Sequence, residues 1–207
     1  MRNIIALFLL IFMFISCKNE QLSQVYYSKA QEYYSRQEYA LALENVTMCL
    51  NKNRNFHQAE LLKAKIFYFS DNDKESLKIL KSLVRKYPEY TEARIWKIRL
   101  LISLKQYDIA QLELDKELSF NPTDWRLYYQ YSLLADKKEQ LDKRLAMLNK
   151  ALLYISESYN VFIESADVWI KLGMKDKAIE CLDKAMSISK EDKILNELKT
   201  YLMEGNK

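Results

Sequence analysis

Residues 23–56 read SQVYYSKAQEYYSRQEYALALENVTMCLNKNRNF, and residues 57–90 read HQAELLKAKIFYFSDNDKESLKILKSLVRKYPEY. Laid over one another, the two stretches agree where side-chain size matters. Ala30 meets Ala64, Tyr33 meets Phe67, Ala42 meets Ser76, Val46 meets Leu80 and Leu50 meets Val84. Segments starting at Thr91, Trp125 and Tyr159 carry the same register on to residue 192 in constant 34-residue steps without a gap. A fixed period of this length marks a stack of like units, each too small to bury its own apolar face.

Numbered within the unit, position 8 is Ala30, Ala64, Ile98, Ser132 and Ala166, and position 20 is Ala42, Ser76, Ala110, Arg144 and Ala178. Between them, position 11 is Tyr33, Phe67, Leu101, Ala135 and Trp169. Position 24 is apolar throughout (Val46, Leu80, Leu114, Leu148, Leu182), as is position 28 (Leu50, Val84, Leu118, Leu152, Met186). Small residues at 8 and 20 let two antiparallel helices approach closely, and the bulky residues at 11, 24 and 28 fill the seam. Helix starts follow from Asp71-Asn72-Asp73, from Thr123-Asp124, and from Ser156 and Ser158. Two departures stand out, Glu117 at the usually small position 27 and Arg144 at position 20.

This pattern, with Pro88 and Pro122 at position 32, resembles the tetratricopeptide repeat over about four-fifths of the chain. The resemblance implies an all-α fold, a right-handed α-solenoid of five 34-residue helical hairpins at 23–56, 57–90, 91–124, 125–158 and 159–192. Residues 193–207 follow, with Lys193 to Glu204 read as a capping helix whose Ile194, Leu195, Leu198, Tyr201 and Leu202 form one stripe.

Composition agrees with helices. Two glycines and two prolines in 207 residues leave little from which to build the turns of an all-β fold or a phosphate-cradling loop. The one histidine, His57, has no Cys/His set around it, and no convergent acid–base group appears, so neither an enzyme nor a metal or other cofactor is expected. A formal charge of +4, with both signs spread along the chain, describes a solvated helical surface and not a nucleic-acid arm. Cys49 and Cys181 fall in the first and last units, too far apart for a disulfide, and read as small core residues.

The N-terminus carries an address. Arg2 is followed by the unbroken apolar run Ile4–Ile15 and then by Ser16 and Cys17. Twelve helical residues rise roughly 18 Å against a hydrocarbon core of about 30 Å, so a cleaved signal segment (1–16) is favoured over a membrane span. Ser16 before Cys17, with Lys18, Asn19 and Glu20 after it, resembles the lipobox of bacterial lipoproteins, although Phe14 stands where that motif usually has leucine. The resemblance implies acylation of Cys17 and a short linker over 17–22. It also implies a place in the bacterial cell envelope, lipid-anchored to a membrane, with the outer membrane favoured.

In the tetratricopeptide family, positions 2, 5, 9, 12 and 13 of the first helix line a groove. Carried over, these give Tyr27, Leu61, Ile95 and Tyr129 at position 5, Lys65 and Arg99 at position 9, Tyr34 and Tyr68 at position 12, and Phe69 at position 13. The resemblance implies an apolar, aromatic groove suited to a peptide segment of an envelope protein. The lysine and asparagine that grip terminal carboxylates in some family members are absent from positions 5 and 9. Lys29, Lys63 and Lys97 recur at position 7 as a ladder whose stems snorkel along apolar seams. The expected function is therefore a membrane-anchored protein-interaction scaffold with no nucleic-acid partner. A surface-exposed lipoprotein without an assembly role remains as the alternative.

Overall fold

The computed structural model describes the backbone of residues 2–154, 159–189 and 193–204, and side chains from Asn19 onward. Among the described residues it is all-helical. The helices are α1 (Arg2–Ser35), α2 (Tyr39–Lys52), α3 (His57–Phe69), α4 (Asp73–Lys86), α5 (Thr91–Ser103) and α6 (Tyr107–Phe120). They continue as α7 (Trp125–Lys137), α8 (Leu141–Tyr154), α9 (Tyr159–Lys171), α10 (Lys175–Ile188) and α11 (Lys193–Glu204). The chain forms two compact units, Met1–Leu100 and Leu101–Lys207. No described helix is long and apolar enough to cross a membrane.

The hairpin turns repeat in backbone conformation, which residue identity hides. Gln37, Asp71, Lys105, Glu139 and Gly173, 34 residues apart, all have positive φ, between 55° and 71°. In each turn the next N–H reaches back to a carbonyl of the first helix. Glu38 donates to Tyr33, Asn72 to Phe67, Gln106 to Leu101, Gln140 to Ala135 and Met174 to Trp169, all at 2.8–2.9 Å. This is the left-handed helix end that glycine favours, and four of the five copies accept it without glycine.

The first unit's core joins Ala30, Ala42, Val46, Cys49, Ala59, Leu62 and Ile66, with Tyr26, Tyr33, Leu43 and Leu50 packed around them. Positions 8 and 20 meet as the close-approach argument requires. The Ser76 hydroxyl, fully buried, donates to the Ala64 carbonyl at 2.8 Å. Cys49 and Cys181 are free and buried, and burial pushes the Cys49 thiol up to about 11. In the second unit, Tyr128, Leu148, Ala151, Val161 and Val168 form one cluster. A second gathers Phe162, Ala166, Ala178, Leu182, Ala185, Leu195 and Leu202. Asp124 caps α7 by accepting from the Arg126 N–H. Asn72 caps α4 without a side-chain bond, and Ser156 and Ser158 lie outside the described residues.

Two expectations need correction. The stripe on α11 is narrower than its sequence period suggests. Leu195 and Leu202 are buried and Leu198 packs beside them, but Ile194 and Tyr201 are 75% and 73% exposed. A lone end helix meets the array along one line, so only residues 195, 198 and 202 reach it. Residues 17–22, read as a linker, are helical and belong to α1. The side chain of Cys17 lies outside those described.

Candidate functional site

In the first unit, the end of α1, the start of α2, the end of α3 and the middle of α5 bring an aromatic chain together. Tyr39 stacks on Phe69 at 6.0 Å, Tyr34 meets the Phe69 ring edge-on at 5.9 Å, and Tyr68 lies 5.0 Å from Phe69 and 5.8 Å from Trp96. Two cations lie over these rings, Lys65 at 4.8 Å from Trp96, and Arg99 at 5.1 Å from Trp96 and 5.9 Å from Tyr68. Glu92 ties the group down. It accepts from Lys65 Nζ at 3.0 Å and from Trp96 Nε1 at 3.1 Å. The partly buried geometry strengthens these cation–ring contacts, because water competes less for the charge.

Beside this chain is a cavity of about 400 Å³ lined by Tyr27, Gln31, Tyr34, Leu61, Lys65 and Tyr90, with Gln58, Leu62 and Glu92 completing it. Its tyrosines are held protonated. Burial, then the field of Tyr39, raises Tyr34 to about 12, against a smaller lowering from Arg99. Burial, then Glu92 and Tyr27, raises Tyr90 to about 12. Burial, with a contribution from Cys49, also raises Tyr27. The cavity thus presents phenol and amide groups and the paired Lys65 ammonium and Glu92 carboxylate beside Leu61 and Leu62, a lining suited to a peptide backbone with an apolar side chain.

Of the residues picked from sequence, Tyr27, Tyr34, Leu61 and Lys65 line this cavity. Tyr68, Phe69 and Arg99 belong to the adjoining aromatic chain, and Phe69 is 40% exposed. Ile95, at 6% exposure, sits in the core. Tyr129 lies in the second unit, packed against its core. The sequence reading did not pick Gln58, Glu92, Tyr90 and Trp96. Gln58 and Glu92 stand at position 2, so the groove rule reaches them, whereas Tyr90 comes from an inter-repeat loop that no helix-face rule covers. Lys63 lies 6.0 Å over the Phe67 ring, as a snorkelling lysine does.

The second unit carries a different arrangement. Arg144, whose side chain is 5% exposed, reaches Asp136 and Asp167 at 2.9 Å each and also pairs with Glu164. Lys171 closes on Asp167 at 3.0 Å. Burial opposes charge on the guanidinium, but the hydrogen bond to Glu164 and the fields of Asp136, Glu164 and Asp167 outweigh it and raise its pKa. The departure at position 20 is thereby explained, since the large cation ties α7, α8 and α9 together where the other copies have alanine or, at Ser76, serine. Arg144 Nε is buried with no partner. Among the described residues, no group of three or more His, Cys, Asp or Glu is placed to hold a metal.

The paired helices, the 34-residue step and the repeated left-handed turn decide the fold. It is the tetratricopeptide fold. A thermophilic tetratricopeptide protein of Thermus thermophilus superimposes with a TM-score of 0.77 at 19% identity, covering 87% of this chain and 98% of that one. A tetratricopeptide repeat protein of Parabacteroides merdae gives 0.78 at 18% identity, covering 87% of this chain and 71% of that one. YrrB, described as a tetratricopeptide protein with an unusual peptide-binding site, gives 0.51 at 19% identity over 84% and 90%. No protein-family model matches the sequence, and no curated protein matches it.

Proposed function

We propose that the chain is a lipid-anchored adaptor of the bacterial cell envelope, which holds a peptide segment of a partner protein in the groove of its first unit. The observation that carries the reading is the cavity lined by Tyr27, Tyr34, Leu61 and Lys65 beside the Tyr68–Trp96–Arg99 chain. It combines apolar side chains with donors that stay protonated and cations already braced on rings, so little ordering is left for the ligand to impose. The peptide-binding site named for YrrB, a protein of like fold, is compatible with this use. The signal-like run ending at Cys17 supports the anchor and the envelope location.

Affinity capture of the full-length protein from crosslinked, detergent-solubilised membranes, beside a Cys17→Ser control, tests both parts. Recovery of a defined set of envelope proteins, lost in the control, supports the adaptor. Tyr27→Ala with Tyr68→Ala weakens that capture while leaving the helical circular-dichroism spectrum intact. Unchanged capture by a folded double variant moves the site off the groove, and substrate turnover by the purified protein overturns the adaptor reading.

A further inference from the structure

We infer that the edge of the first unit from which the N-terminal end of α1 emerges is a docking surface for anionic lipid headgroups, formed by Lys52, Arg54, Arg85 and Lys86. The inference rests on the membrane-anchored part of the proposed function. Three elements share this edge. The Tyr27 ring, near the start of the repeat part of α1, packs 4.8 Å from Phe56 in the loop after α2. Asn55 of that loop takes a hydrogen bond from Lys86 Nζ at 3.0 Å on its side chain, and one from the Tyr87 hydroxyl at 3.4 Å on its carbonyl. His57 lies 5.1 Å from Tyr87 and 4.9 Å from Tyr90. The loops after α2 and α4 are therefore one surface beside the emerging helix.

That surface is basic. Lys52 closes the last turn of α2, and Arg85 and Lys86 close that of α4, where cations also complement the helix ends. Lys52, Arg54, Arg85 and Lys86 all reach solvent. Among the described residues, the first three have no ion pair, and Lys86, which also bonds Asn55 and lies 5.0 Å over the Tyr87 ring, pairs with Glu60 at 4.0 Å. Glu20 and Glu89 are the unpaired acidic side chains nearby. The opposite edge has the other sign. Its turns carry Glu38, Asp71, Asp73 and Glu75 against Arg36 and Lys74, with Arg36 held by Glu32 at 2.6 Å and Glu75 by Lys78 at 3.7 Å.

Position turns this polarity into an interaction. Cys17 precedes Tyr27 by ten residues on one continuous helix, about 15 Å of rise. Whether acyl chains on Cys17 or the uncut Ile4–Ile15 run enters the bilayer, the membrane lies no more than about 15 Å from this edge, and a tilt of the emerging helix brings the basic side chains within reach of it. Lysines and arginines near an anionic surface are attracted over about one Debye length, roughly 8–10 Å. The acidic turns stand at the far ends of 14-residue helices, about 20 Å away, and are screened from it. The lipid anchor thus acts with a polybasic edge, and two weak signals together give stable, oriented attachment.

The test uses the full chain, purified in detergent and reconstituted into vesicles of phosphatidylcholine alone or of phosphatidylcholine and phosphatidylglycerol in equal parts. Hydrogen exchange read by mass spectrometry is expected to slow about fivefold or more in loops 51–56 and 85–90 in the anionic vesicles. Turns 36–38 and 71–72 are expected to stay unchanged. The Lys52→Glu/Arg54→Glu/Arg85→Glu variant, at solvent-facing positions and with its helical circular-dichroism spectrum intact, is expected to lose the difference. Equal exchange of the two loops in both vesicles overturns the inference. Flotation separates it from the anchor. A chain that floats with both vesicles but shows no difference keeps the anchor and loses the edge. One that floats only with anionic vesicles supports the edge and removes the anchor, and one that floats with neither removes both.

Discussion

Replacing Arg144 with alanine tests whether the second unit is held by charge or by packing. Alanine is what this position carries in Ala42, Ala110 and Ala178, so the backbone accepts it and no helix propensity is lost. What disappears is a guanidinium whose side chain is 5% exposed, joined to Asp136, Glu164 and Asp167. Breaking a fully buried pair costs about 3–5 kcal/mol, because the partner is left charged and dry. Here the three carboxylates are 36%, 30% and 45% exposed and regain water, so the cost falls to about 2 kcal/mol. For a chain of this length, that lowers the thermal midpoint by about 4–8 °C. Circular-dichroism melts of Arg144→Ala, and of Arg144→Ala with Glu164→Gln and Asp167→Asn, are the assay. The triple variant removes two of the three stranded charges, leaving Asp136, and is expected to recover more than half of the loss. An Arg144→Ala protein as stable as the parent refutes the reasoning and assigns the arginine a passive place.

The repeated turn makes a prediction in both directions. Lys105→Gly and Glu139→Gly, at φ 59° and 56°, are each expected to stabilise by about 0.5–1 kcal/mol in urea unfolding. Gly173→Ala, at φ 71° with nothing within 4 Å of the added methyl, is expected to cost about 1 kcal/mol through backbone strain alone. Alkaline pH should unfold the protein early. Tyr34 and Tyr90 are raised from 10.0 to about 12 and Cys49 from 9.0 to about 11, so the unfolded chain releases these protons first. Stability is complete below pH 9 and declines as the pH rises toward 12, and the last fraction of tyrosinate absorbance, from the buried rings, should appear together with loss of helix. Leu148→Ala, at a side chain with no exposure, should cost about 2–5 kcal/mol, and a melt within about 1 °C of the parent would show that α8 is not seated as described.

The architecture was legible because burial is a condition every copy must meet. Position 24 keeps Val46, Leu80, Leu114, Leu148 and Leu182 at 0–1% exposure, and no copy can abandon it without opening the seam. The turn obeyed the same period and went unread, because its requirement falls on φ and only Gly173 spells it in residue type. Arg144 was visible as an exception but not as a solution. Its three carboxylates come from α7 and α9, and a single-repeat reading shows no reason for them to converge. On α11, the helical period put five residues on one stripe, while the neighbour has room for fewer, and Ile194 and Tyr201 stay in water.

The candidate site was half legible for a related reason. Groove positions are defined by direction from a helix axis, which the period supplies, and Tyr27, Tyr34, Leu61 and Lys65 follow from it to the cavity. What a direction does not supply is company. Ile95 points along the same rule and is taken up by the core, and Trp96, one residue later, becomes the ring on which Lys65 and Arg99 rest. The chemistry of the two units also separates at equivalent positions. Lys65 and Arg99 at position 9 lie on aromatic rings in the first unit, whereas Asp167 at position 9 and Asp136 at position 12 are drawn to a buried arginine in the second. A ligand for the first unit meets cations braced by rings, and one for the second meets carboxylates already shared. One backbone thus offers two different electrostatic surfaces, set by the side chains that are free to differ between repeats.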